Sequence, residues 1–135
     1  MRFLAFASAA IVASTIGALA QQPEPAQQPG QSKPPKCFFV TQFDNWKAPD
    51  ANTMYIRVNM NKYYRLEMSN SCPALTWPDA HLIMHIRGAN TICSPLDWDL
   101  KVSQGIHDIP MPCIVKSMTP LSADEVAAIP KKFKP

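Results

Sequence analysis

From Trp98 to Val102 apolar and polar residues alternate strictly, with Trp98, Leu100 and Val102 on one side and Asp99 and Lys101 on the other. A period of two predicts a half-buried strand. Cys93 and a Ser94-Pro95 turn precede it, so this stretch reads as a staple joined to a core strand. The same period runs through Thr53–Met60 and Tyr63–Ser69. There Met54, Ile56, Val58 and Met60 share one face, as do Tyr64, Leu66 and Met68 after a tight turn at Asn61-Lys62. The opposite face of this hairpin carries Tyr55, Arg57, Tyr63, Arg65 and Glu67.

Three further strands complete the pattern. Cys37 to Phe43 is rich in aromatic and β-branched residues. Leu82, Met84 and Ile86 alternate with His81, Ile83, His85 and Arg87, and Cys113 to Met118 forms the last strand. Asp44-Asn45 and Pro49-Asp50 mark turns, and Trp46 is expected as a lid over one end of the core. Ser69 to Asp79 and Ile106 to Pro112 read as loops. Ser122 and Glu125 have capping-box spacing, Leu121 and Val126 sit where a hydrophobic staple forms, and Pro130 ends the helix they start. The predicted fold is mainly β: a small antiparallel barrel or sandwich of about six strands with two disulfides and one short C-terminal helix.

The N-terminal residues change the picture. Arg2 is followed by an uncharged, Ala-rich run from Phe3 to Gly17, and Ala18-Leu19-Ala20 fits a small-x-small cleavage pattern. Residues 1–20 are therefore expected to be a signal peptide, with no cysteine nearby to accept lipid. Gln21 to Lys36 holds five prolines and five glutamines in sixteen residues, the composition of a disordered linker (residues 21–36). Residues 37–135 form the expected disulfide-braced β domain. An export signal makes disulfides the default for Cys37, Cys72, Cys93 and Cys113, none of which forms a Cys-x-x-Cys pair. Three pairings are open. The nested one, Cys37–Cys113 with Cys72–Cys93, is preferred because Cys37 opens the first strand and Cys113 the last, and such strands often pair in a small closed sheet.

The run from Cys37 to the end resembles a family of small exported four-cysteine proteins of Gram-negative bacteria catalogued as a domain of unknown function. The resemblance lies in Cys93-x-x-Leu96-Asp97-x-Asp99, in the hairpin with Tyr64-Arg65-Leu66, and in the Leu-Ser-x-x-Glu-Val ending at Leu121–Val126. It implies an envelope location and a four-cysteine domain, and it supplies no activity, catalytic residue or ligand.

Chemistry must then come from the residues. Without Arg2, twelve of the thirteen Lys and Arg remain against ten Asp and Glu, a net charge of +2 that does not call for nucleic acid. His81 and His85, four apart on a strand, stand about 13 Å from each other at ~3.3 Å per residue, too far to share one ion. Asp97 and Asp99 flank Trp98 and read as surface charges on one strand face, or Asp97 as the acceptor that holds the turn after Cys93. His107-Asp108 adds two more candidate ligands. No Gly-x-Ser-x-Gly elbow, His-Glu-x-x-His or phosphate loop is present.

The reading is a non-catalytic envelope module, periplasmic or secreted, that binds a protein or envelope component. It needs no cofactor and has no stable membrane insertion after cleavage. The alternative is a small hydrolase or metal-dependent enzyme using Asp97, Asp99 and a histidine. The nominated binding face is Tyr55, Arg57, Tyr63 and Arg65, because Tyr and Arg are favoured at contacts. The competing role for that face is as a floor for the helix after Ser122.

Overall fold

The computed structural model describes residues 33–86, 89–105 and 108–135. The expected signal peptide, most of the linker, and His107 lie outside the described residues. Nine strands are present in chain order: β1 (Phe38–Phe39), β2 (Phe43–Lys47), β3 (Thr53–Val58), β4 (Lys62–Met68), β5 (His81–Ile86), β6 (Thr91–Ile92), β7 (Trp98–Ser103), β8 (Met111–Cys113) and β9 (Val115–Pro120). One short helix, α1 (Ala123–Ala127), follows. They make three antiparallel sheets: β2-β3-β4-β9, β5-β7-β8, and the pair β1-β6.

Mainly β structure, two disulfides and one short C-terminal helix are as the sequence predicts, but the sheets do not close into a barrel. The number of strands rises to nine because two predicted strands are broken and the unpredicted β6 pairs with β1. A 3₁₀ turn at Val40–Gln42 splits Cys37–Phe43 into β1 and the start of β2. Ile114 separates β8 from β9, and β8 takes in Met111 and Pro112, which were expected in a loop.

The hairpin β3-β4 has the expected faces. Met54, Ile56, Val58, Tyr64, Leu66 and Met68 are buried. From the other large sheet Trp98, Leu100 and Val102 enter the same core, joined by Phe38, Leu75 and Ile92. The turn is displaced from its predicted place. Val58 pairs with Lys62, so Asn59, Met60 and Asn61 form the loop. Asn59 and Met60 have φ of 49° and 65°. Met60 is thus 79% exposed instead of extending the inward row. The Asp44 carboxylate accepts from its backbone N–H, which helps to hold a left-handed conformation that a long side chain adopts at a cost.

The disulfides are Cys37–Cys93 and Cys72–Cys113, not the nested pairs. Register explains the correction. Phe38 pairs with Ile92, which sets Cys37 beside Cys93. The first and last strands are not neighbours, because β9 pairs with β4. Cys113 ends β8 instead of opening the last strand. Loops spanning 56 and 41 positions give roughly 4 kcal/mol of chain-entropy stabilisation each as an upper value.

Lys33 to Lys36, assigned by composition to the linker, lie against the domain. The Tyr64 hydroxyl donates to the Pro35 carbonyl oxygen at 2.8 Å, and Lys33 pairs with Glu125 at 3.3 Å.

Candidate functional site

The four nominated residues do come together. Tyr55 pairs across the hairpin with Arg65, and Arg57 with Tyr63, so the outer face is a checkerboard of two Tyr and two Arg. Each is half-buried. Arg57 Nε lies 3.8 Å from Asp44 Oδ2, and Arg65 Nε 3.5 Å from Glu67 Oε1. Glu67 also accepts from the Ser117 hydroxyl on β9 at 3.1 Å. Both Nε atoms are buried without a hydrogen bond among the described residues, so these are charge contacts in loose geometry.

The C-terminal segment lies along this face. The Ser122 hydroxyl accepts from Glu125 N–H at 3.4 Å, and Glu125 Oε2 accepts from Ser122 N–H at 2.7 Å. This is the predicted capping box. The Ser122 backbone donor, with its side chain next, holds the Glu125 carboxyl below its usual range. Leu121 and Ile129 are buried and border a cavity of about 200 Å³ together with Tyr55 and Arg65. Further on, Lys134 Nζ stands 5.8 Å from the Tyr63 ring centroid, and Arg57 Nη1 donates to Pro135 O at 3.3 Å. The tyrosines and arginines are therefore a floor on which this segment rests.

The acid–base candidates separate. Asp97 lies in a 3₁₀ turn, Pro95–Asp97, and not on the strand. Its Oδ2 accepts from Cys93 N–H and Ser94 N–H, both at 2.8 Å. Those two bonds, Cys93 first, hold its carboxyl below the usual range. Asp97 is thus the turn-holding residue, and the shared strand face with Asp99 does not exist. Asp99 pairs across β5-β7 with His85, and His81 with Ser103, of which Ser103 is buried. Among the described residues no three His, Cys, Asp or Glu side chains cluster in a way that could hold a metal ion. The hydrolase or metal-enzyme alternative gains no support. All four cysteines are in disulfides.

A different place has the shape of a binding site. At the β2 edge of the four-stranded sheet a cleft of about 630 Å³ opens, lined by Trp46, Trp77 and Phe133. Its volume falls within the roughly 300–1,000 Å³ usual for ligand pockets. Three separate stretches build it. Trp46 comes from β2, where it pairs with Ile56 and packs on the core. Trp77 follows the 3₁₀ turn Pro73–Thr76, whose Leu75 is buried. Phe133 comes from a 3₁₀ turn after α1, Lys131–Phe133.

Each wall is fixed locally. Asp50 Oδ1 accepts from Asn52 and Thr53 N–H at 2.7 and 2.8 Å, setting the turn after β2. The Trp77 loop is anchored by the Cys72–Cys113 bond at its root and by Gln104 Nε2 donating to Pro78 O at 3.2 Å. Asp79, with φ of 57°, turns the chain at the rim. The polar lining comes from Asn45, Lys47, Thr76 and Asp79.

Comparison with known sequences bears on the whole chain. The model of a family of unknown function, DUF6491, matches residues 1–133. The chain belongs to DUF6491. No curated protein and no solved structure matches it.

Membership in DUF6491 thus brings no reaction and no ligand, and the cleft stands on its own geometry. The sequence reading of this DUF6491 chain gave Trp46 a place at the end of the core but missed Trp77 and Phe133. The available signal was two tryptophans beside turn residues, Trp46 ahead of Pro49-Asp50 and Trp77 ahead of Pro78-Asp79, outside any alternating row. Large aromatics that no strand period accounts for are candidates for a site wall.

Proposed function

We propose that this protein is an exported, non-catalytic envelope module, periplasmic or secreted, that binds a protein or envelope component in the cleft between Trp46, Trp77 and Phe133. The observation that carries this reading is the convergence of those three aromatic side chains from three distant stretches of the chain on one open cleft. Aromatic rings supply large contact area at low entropic cost, and the indole and polar rim groups can orient what is bound. The Ala-rich N-terminus and the two disulfides support export to an oxidising compartment.

In this reading the face of Tyr55, Arg57, Tyr63 and Arg65 serves the site from beneath. It seats the segment that delivers Phe133 to the cleft. The test is retention of envelope extract on immobilised wild-type protein and on the Trp46→Ala/Trp77→Ala variant. A component held by the first and released by the second supports the proposal. Equal retention by both, or none by either, overturns it.

A further inference from the structure

We infer that the ligand of this cleft is a neutral oligosaccharide, a chain of pyranose rings. The inference rests on the reading of the cleft as the binding site and goes on to its chemistry.

Three features point the same way. A pyranose ring has an apolar face of C–H groups that lies well on an aromatic ring. Trp46, Trp77 and Phe133 all line the cleft and none is fully buried, so each leaves some aromatic surface for a ligand.

The rim carries charges of both signs. Lys47 and Asp79 stand at the same opening, and Lys132 Nζ lies 4.5 Å from the Phe133 ring centroid, so an ion of either sign meets both attraction and repulsion there. A neutral ligand avoids that conflict.

The rim also mixes donors with acceptors. Lys47 only donates, Asp79 when ionised only accepts, and the Asn45 amide does both. The Thr76 hydroxyl already donates to Pro73 O at 2.9 Å, which leaves its oxygen to accept. Sugar hydroxyls both donate and accept, and so can use every one of these groups.

The main competitor for an aromatic cleft is a proline-rich peptide. Its carbonyl oxygens are acceptors, and proline has no N–H. It therefore offers little to the Asp79 carboxylate or to the Thr76 oxygen. The rim favours the sugar.

The test is isothermal titration calorimetry on the full-length protein with both disulfides formed. The titrants are tetra-N-acetylchitotetraose, cellotetraose, maltotetraose and a proline-rich peptide. At least one tetrasaccharide should bind with one-to-one stoichiometry, and the tetrasaccharide that binds tells an amino-sugar chain from a β- or α-linked glucose chain. Trp77→Ala should weaken that binding by about tenfold or more, the equivalent of ~1.4 kcal/mol. Asp79→Asn should weaken it several-fold, because asparagine tolerates the positive φ while losing the carboxylate.

Sugar binding unchanged in both variants would overturn the inference. So would binding of the peptide alone, although loss of peptide binding in Trp77→Ala would leave the cleft as the site. Absence of binding by all four titrants also overturns it, and the comparison of retained envelope material then decides the cleft separately.

Discussion

The Tyr64 hydroxyl donates to the Pro35 carbonyl oxygen at 2.8 Å, tying the end of the proline-rich stretch to the middle of the four-stranded sheet. Tyr64 has no exposed surface, and its ring lies 5.0 Å from that of Phe38, centroid to centroid. Burial pushes the phenol pKa up, so the hydroxyl stays protonated and available as a donor. Tyr64→Phe keeps the ring contacts and removes one hydrogen bond. It should cost about 1 kcal/mol, a fall in Tm of roughly 4–8 °C for a domain of this size. Tyr64→Ala should cost about 3–5 kcal/mol. Calorimetric unfolding checks both, and equal stability of Tyr64→Phe and wild type would show that the Pro35 contact contributes nothing.

Peptide mapping without reduction should link Cys37 to Cys93 and Cys72 to Cys113. Replacing either pair with serine should cost about 2–4 kcal/mol. Loss of the second pair should also loosen the Trp77 loop, which starts from Cys72. A Cys37–Cys113 peptide would contradict the register of Phe38 with Ile92.

Asp97 predicts a pH dependence. Its carboxyl is held below the usual range by backbone donors that act only on the folded chain. A depressed folded pKa contributes stability that is present above the unfolded value of about 3.9. That contribution fades as pH falls through the lower folded value. Asp97→Asn should therefore be less stable than wild type near neutral pH, with the gap closing in acid. Urea unfolding at several pH values measures it. A gap that stays constant into acid would mean that charge on Asp97 does not matter.

Tyr55→Ala with Tyr63→Ala removes two half-buried rings from beneath the C-terminal segment. The pair should cost about 2 kcal/mol or more, below the ~3–5 of one fully buried aromatic. Amide exchange should quicken across 121–135. A cost within ~0.5 kcal/mol, as at free surface sites, would mean that the segment does not depend on this floor.

The hairpin was legible because strict alternation reports burial residue by residue. Met54, Ile56, Tyr64 and Leu66 needed no knowledge of what lay opposite. The Ser122–Glu125 box was equally local. Disulfide pairing was not legible, since Cys37 meets Cys93 only because β1 lies beside β6, a long-range fact that no short window contains. Met60 was misread because it continued the apolar alternation, while the loop took the positive φ at Asn59 and Met60 instead of using Asn61-Lys62. The cleft was hidden for the same reason as the pairing: Trp46, Trp77 and Phe133 share no local period. Asp97 shows how a chemically suggestive spacing can be structural, its carboxylate being occupied by two backbone donors.

A ligand of the proposed cleft must touch Trp46, Trp77 and Phe133. The chain has three tryptophans, and Trp98 is buried in the core, so it serves as an internal control. The most direct measurement is the ¹H–¹⁵N correlation spectrum of the three indole N–H groups, assigned with single Trp→Phe variants, as envelope extract or a binding tetrasaccharide is added. The Trp46 and Trp77 signals should shift together while Trp98 stays in place, and Phe133→Ala should weaken the response. Bound material that leaves the Trp46 and Trp77 signals unmoved would contradict binding in the cleft.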